Sequence, residues 1–403
     1  MSNFRKQLSA KKEQLAQAAR LSLAARLTPE RILHKTAELP PDTFGRLGVL
    51  DYRQLVSRAT VELDSPELCR FLECQIAVAH DGCRFATEEA GVWTLENVRL
   101  EPGTGAVVTA DGTLLIDSIK NSGRLRRIAA YGRALPEAKP IPQSRSSTGG
   151  YTTIAGTHTG NHFHWLIEGL PRLHSLELVG EPVTLLMPDT LNDMQRATLE
   201  MCRPACVTVA YVPGDEWVGV ERFILPSYLT RQWDFAYLPS DHLQTTRRRI
   251  LAGYELDPEH AGRRRLYISR AGAGVRHVVN EAEVIAELLP RGFEVVYLEE
   301  LPFSEQVSLL HDAALVVAPH GAGLANLLFA GRIPVVELAT AVSTPVYFFL
   351  ALALGQDYRY VFPEGMEPDA VSSMTDARHY SAVRDRDIVV PVDRLKTVLD
   401  RIT

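Results

Sequence analysis

No G-x-G-x-x-G run follows an apolar segment anywhere in this chain, which argues against a dinucleotide oxidoreductase. No apolar stretch approaches eighteen residues, so nothing reads as a membrane span, and the opening M-S-N-F-R-K-Q-L has no signal-type apolar core. Strong charge is missing too, since 43 Lys and Arg stand against 49 Asp and Glu, a formal net charge of -6. That balance makes no global field for nucleic acid or an anionic membrane, and any polyanion contact must be local. Cysteine is scarce, five in 403 residues, and the pairs Cys69/Cys74 and Cys202/Cys206 lack zinc-finger spacing. An odd count without a framework predicts reduced thiols in a cytosol. With 46% hydrophobic and 23% charged residues, the chain is expected to be a cytoplasmic globular protein of two domains plus extensions.

The most informative stretch runs over 314–338 and reads A-L-V-V-A-P-H-G-A-G-L-A-N-L-L-F-A-G-R-I-P-V-V-E-L. The apolar run 314–318 has the length and branching of a buried strand and stops at Pro319, which cannot donate to a central ladder. His320, Gly321, Ala322 and Gly323 form a turn. A short apolar helix follows over 324–329, and Gly331 and Pro334 end it before a second buried strand, 335–338. Such a β-turn-α-β unit predicts parallel strands joined by a right-handed crossover. Its ligand belongs beyond the carboxyl end of the first strand, where glycines admit a close approach and the first helical N–H groups face an anion. A phosphate is therefore expected at Gly321, Ala322, Gly323 and Leu324, with His320 as a donor to it or as a tuned acid. The same residues would equally make a tight turn without a ligand. Glu337, at the end of the second strand, is placed for ribose hydroxyls or for a helix cap.

A second stretch, 160–173, reads G-N-H-F-H-W-L-I-E-G-L-P-R-L. Phe163, Leu166, Ile167, Leu170 and Leu173 define one helical face, and Asn161 is placed as its cap. His164 and Glu168 lie four apart, so their side chains emerge one turn above the other. A carboxylate there orients the ring and raises its basicity, as a general base requires, although an ordinary surface His–Glu pair has the same spacing. His158, His162, His164 and His174 also crowd this region, but none of their spacings matches a zinc pattern.

Around these stretches the chain divides into an N-terminal helical arm (1–40), a first domain (41–256), a second (257–386) and a closing strand and helix (387–403). Residues 1–27 form a basic amphipathic helix suited to a membrane face, to a second subunit, or to its own domain. Thr28-Pro29 starts a further helix, ended by Leu39-Pro40-Pro41. The pattern over 52–91 is mixed and assigns no element. Short alternating runs over 92–117 around Asp111-Gly112 predict a small antiparallel sheet ahead of a first Rossmann-like half. Strands are then expected over 183–187, 207–212 and 222–225, with helices over 192–201 and 239–251. In the second domain a strand over 266–269 leads into Ser269, Arg270 and a glycine-containing loop to Arg276, where a guanidinium offers a permanently charged fork for a diphosphate.

Taken in order, N-H-F-H-W-L-I-E-G-L-P-R-L, L-Y-I-S-R, N-E-A-E-V, G-F-E-V-V, S-E-Q-V-S-L-L-H-D-A and V-V-A-P-H-G-A-G-L-A-N-L-L-F resemble glycosyltransferase family 61 over roughly 151–338. The resemblance implies an α/β chain of the GT-B type, with two Rossmann-like domains facing across a cleft. It further implies a nucleotide-sugar donor held mainly by the C-terminal domain, inversion at the anomeric carbon, and no metal or other cofactor. Ser269, Arg270 and His320 to Gly323 fall where that family holds the donor diphosphate. Asn161, His164 and Glu168 fall on its cleft helix, with His164 or Glu168 as the base. The eukaryotic members' signal-anchor is missing, which suggests a bacterial enzyme of surface-polysaccharide synthesis, cytoplasmic or peripheral at the inner membrane face. The expected partners are a nucleotide-sugar donor, UDP-linked by preference, and a lipid-linked or soluble glycan acceptor. The alternatives are a non-catalytic nucleotide- or glycan-binding protein of the same fold, and a metal-dependent hydrolase using the histidines between His158 and His174.

Overall fold

The computed structural model describes residues 32–33, 47–73, 83–87, 89–119, 138–141, 149–230, 239–339, 345–363 and 385–402. The continuous apolar runs of the C-terminal half form a five-stranded, wholly parallel sheet. Its spatial order is Phe293–Val296, Arg264–Ile268, Ala313–Pro319, Pro334–Leu338, Asp357–Val361. Ala313–Pro319 is central and almost wholly buried, which explains why it carries no polar alternation. In sequence terms this is the doubly wound order 2-1-3-4-5, and the winding reverses between Arg264–Ile268 and Ala313–Pro319. Those two strands pair in register, Tyr267 opposite Val317, so their carboxyl ends stand side by side. The loops that follow them meet at one edge.

The N-terminal half is built on a ten-stranded mixed sheet. Val183–Pro188 and Val207–Val212 run parallel as expected, joined by the short strand Tyr151–Thr152, which the sequence did not mark. The antiparallel strands foreseen as a separate small extension are instead fused to them. Ala90–Glu101 is long enough to pair with Val218–Pro226 on one side and with Val49–Val56 on the other. One apolar core joins the halves, with Leu166, Ile167 and Leu185 from the first and Ile268, Val316, Leu328 and Phe329 from the second.

Three local expectations change. Ile32–Leu33 is a short strand parallel to Leu114–Leu115, where a helix was expected over 28–39. The remainder of that helix and the 1–27 arm lie outside the described residues. The closing strand over 387–391 reduces to a single bridge between Val278 and Ile388, ahead of the expected helix Val392–Asp400. The reduced-thiol expectation fails at Cys69 and Cys83, which form a disulfide with Cα atoms 4.8 Å apart. The helix Pro66–Glu73 and the strand Arg84–Ala86 fold back on one another, so the partner of Cys69 is Cys83 rather than its neighbour Cys74. Cys202 stays free and buried, its thiol pushed up to about 12 by burial.

This disulfide-closed excursion leaves and re-enters the first sheet between the paired strands Val49–Val56 and Ala90–Glu101. It packs Phe71, Leu72 and Phe85 against Phe348, Phe349 and Tyr358 of the second half. A loop of this size is worth about 3 kcal/mol through restriction of the unfolded chain. Thermal unfolding with and without dithiothreitol is therefore expected to give a lower Tm in the reductant. An unchanged Tm with both thiols titratable would show that the bridge does not support the fold.

Candidate functional site

At the reversal point of the second sheet, the loop after Arg264–Ile268 supplies Arg270 and Arg276, and the turn after Ala313–Pro319 supplies His320 and Gly321. Gly321 has an extended backbone, φ 177°, so space rather than conformation demands glycine there. A Cβ at that position would lie 1.9 Å from Arg270 Nη1. The guanidinium thus rests directly on the turn. Its Nη2 donates to the Val275 carbonyl at 3.1 Å, while its buried Nε has no hydrogen-bond partner. Burial, and after it repulsion from Arg276, pulls the Arg270 guanidinium below its ordinary value. Arg276 adopts φ 60°, in the left-handed region that a non-glycine residue enters at a cost, and its Nη1 donates to the His320 carbonyl at 3.2 Å. Two cations thus stand side by side at a sheet edge, offset in part by Asp385, whose Oδ1 lies 4.0 Å from Arg276 Nε.

His320 is nearly buried, and its Nδ1 donates to Glu337 Oε1 at 2.5 Å. Tyr358 donates to the other Glu337 oxygen at 2.7 Å. Both carboxylate oxygens are engaged, so Glu337 supports the His320 ring instead of lying open to a ribose. The Ser269 hydroxyl donates to Glu281 Oε1 at 2.8 Å and accepts from the Ala271 N–H at 3.1 Å, which shapes the Arg270 loop. The expected short helix is a 3-10 helix over Ala322–Phe329. Its Leu324 N–H is spent on the Gly321 carbonyl at 2.9 Å, so Leu324 is not among the open amides of the turn. At Gly323 a Cβ would sit a tight 3.1 Å from Leu298 Cδ1, so a side chain there would press on that leucine.

The other component lies on the first half. Asn161 Oδ1 accepts from the N–H groups of Phe163 and His164 at 3.0 and 3.3 Å, the capping role read from the sequence. The next turn is a π-helix, His164–Gly169, a rare geometry that often marks functional positions. There His164 Nδ1 donates to Glu168 Oε2 at 2.6 Å. An ionised carboxylate only accepts, so the proton sits on Nδ1 and Nε2 keeps its lone pair. The His164 side chain is 25% exposed and that of Glu168 5%, so the ring faces outward and the acid lies beneath it. Arg172, fully buried, donates to the Pro226 carbonyl and stacks over Tyr228 at 4.4 Å, putting a cation within electrostatic reach of Glu168. A recess of about 20 Å³ opens beside the pair, lined in part by His158, His164, Glu168 and Tyr228.

A file of rings connects the two components. His158 stacks on His164 at 4.8 Å, Phe163 lies 5.5 Å from both His164 and Tyr347, and Tyr347 lies 5.0 Å from His320. A polar contact parallels it. Burial holds the His162 ring below its ordinary value, and its Nε2 donates at 2.7 Å to Asn326 Oδ1 on the 3-10 helix. Asn326 in turn donates to Gln306 Oε1 at 2.9 Å. Of the four crowded histidines only His158 and His164 stay together, since His162 turns to Asn326 and His174 Nδ1 pairs with Glu177. Among the described residues no three His, Cys, Asp or Glu side chains converge to hold a metal. Sequence reasoning missed Tyr347, Tyr358 and Asn326. Tyr347 and Asn326 sit inside apolar helical runs, and Tyr358 is the one buried polar tip on a strand 21 residues beyond Glu337.

Residues 162–335, which include His164, Glu168, Arg270, Arg276 and the His320–Gly321 turn, match the family model Glycosyltransferase 61. No curated protein matches the chain. Among the described residues no helix is long and apolar enough to cross a membrane.

Proposed function

We propose, on the premise of the Glycosyltransferase 61 match, that this chain moves a sugar from a nucleotide diphosphate to a hydroxyl of a glycan. The observation that carries the reading is the ring file that puts an oriented His–Glu pair at one end and the adjacent Arg270 and Arg276 beside His320 at the other. The acceptor hydroxyl loses its proton to His164 Nε2 as it attacks the anomeric carbon, and Glu168 holds the ring and stabilises the imidazolium that forms. On the opposite side the diphosphate leaves, gaining negative charge that Arg270, Arg276, His320 and the amides of Ala322 and Gly323 stabilise. Attack opposite the leaving group inverts the anomeric centre. These cations take the role that magnesium has elsewhere, so the reaction needs no added metal.

Glu337 we assign to holding His320, in place of the ribose contact expected from its position. In this reading 41–256 is the acceptor side and 257–386 the donor side of a GT-B arrangement. The donor is a UDP-linked hexose or pentose, and the acceptor is a lipid-linked or soluble glycan of surface-polysaccharide type. The Cys69–Cys83 bridge argues for an oxidising compartment over the cytoplasm. Residues 1–27 are left the role of a membrane or subunit contact.

Calorimetric titration with UDP, GDP and CMP, repeated in EDTA, tests the reading. One nucleotide is expected to bind at micromolar strength with the same affinity in the chelator. Binding abolished by EDTA would overturn metal independence, and no binding at all would reduce the Gly321 turn to a turn. Binding without product from any donor would leave the non-catalytic reading.

A further inference from the structure

A second cavity, of about 700 Å³, lies at the opposite end of the second sheet from His320. Ala330, Gly331 and Arg332 precede the strand Pro334–Leu338, and Gly355 precedes Asp357–Val361, so these residues sit at the amino ends of strands whose carboxyl ends carry the site above. The facing wall comes from the first half, where Ser240, Gln244 and Arg247 lie on the helix Ser240–Gly253, and from the connecting residues Pro258, Glu259 and His260. This volume is that of a small-molecule site.

The lining is cationic. Arg247 is only 7% exposed, yet Nη2 makes a bond to the Pro258 carbonyl at 3.0 Å while Nε has no partner. A guanidinium so deeply buried and so incompletely bonded calls for a missing acceptor. Arg332 is exposed, with its Nε 3.4 Å from where a Cβ on Gly355 would stand, so the side chain lies along the cavity rim. Glu259 is the single carboxylate in the lining and offsets one of the two arginines, while the His260 ring is engaged by Asp312 at 2.8 Å. Ser240 and Gln244 add neutral polar groups suited to hydroxyls.

We propose that this cavity binds an oxyanion carried on a polyhydroxylated scaffold, a sugar phosphate or a uronate, bridging the two halves between Arg247 and Arg332. The site is separate from the donor diphosphate site, and the proposal does not depend on the transfer reaction. The test is calorimetry of the full chain with inorganic phosphate, glucose 1-phosphate, glucuronate and glucose, in wild type, Arg332→Gln and Arg270→Ala. Arg332 is exposed, so its replacement leaves folding intact. Glucose 1-phosphate or glucuronate is expected to bind in wild type and in Arg270→Ala, and at least about tenfold more weakly in Arg332→Gln, the loss of one charge-assisted contact. Whichever anion binds identifies phosphate or carboxylate as the group recognised. UDP affinity is expected to be unchanged in Arg332→Gln. No binding of either anionic sugar, binding lost in Arg270→Ala alone, or glucose binding as well as the anions would overturn the proposal.

Discussion

Replacing Arg270 by alanine is expected to lower turnover by about 100- to 1000-fold, the usual cost of removing one preorganised donor from a developing negative charge. The magnitude follows from how that side chain is held. Its guanidinium lies on Gly321, partly desolvated and beside Arg276, so it meets a diphosphate without first reorganising or stripping off bulk water. The interaction strengthens as the leaving group gains charge, so kcat should fall along with affinity for the nucleotide product. Gly321→Ala is the companion variant. Its Cβ would occupy the position of Arg270 Nη1, the far end of a flexible side chain, so the backbone can stay while the guanidinium is displaced. That variant should keep the wild-type Tm and lose most of the nucleotide affinity seen by calorimetry. Arg270→Ala with activity within threefold of wild type would remove the anion site from the mechanism.

The second half was largely legible because its strands are buried on both faces and carry unbroken apolar runs bounded by Gly, Pro and Asn. The edge on which Arg270 and His320 meet follows from parallel winding, and both were placed from strand ends alone. The partners of the anchoring groups were hidden. Glu337 reads as a free acid until Tyr358, on the next strand, is seen to occupy its second oxygen, a pairing that only the Pro334–Leu338 to Asp357–Val361 register creates. Leu324 was read as a donor because an α-helix frees its first amides, whereas the tighter 3-10 turn closes on Gly321. In the first half, local alternation over 92–117 predicted strands correctly but not their neighbours. One partner of Ala90–Glu101 is Val218–Pro226, more than a hundred residues away, and no local pattern encodes such a pairing. The Cys69–Cys83 bridge was missed for the same reason at shorter range, because the fold-back that joins them lies in the mixed segment that assigned no element.

Replacing His164 by alanine is expected to cost about 100- to 10,000-fold in kcat, the range for a positioned general base. The two members of the dyad, indistinguishable by spacing, differ in the structure. Glu168 is only 5% exposed and has one oxygen committed to His164 Nδ1, so an acceptor reaches it less readily than the ring. His164 is the more exposed and retains the Nε2 lone pair. Glu168→Gln should therefore be milder than His164→Ala, since the amide oxygen still accepts from Nδ1–H and keeps the ring in its tautomer, while the charge that stabilises the imidazolium is lost. Neither variant touches the Arg270 loop, so UDP affinity should match wild type in both, and a change confined to kcat distinguishes a base from a structural residue. If His164→Ala keeps its rate and Glu168→Gln abolishes it with UDP binding intact, the carboxylate is the base and the ring its support.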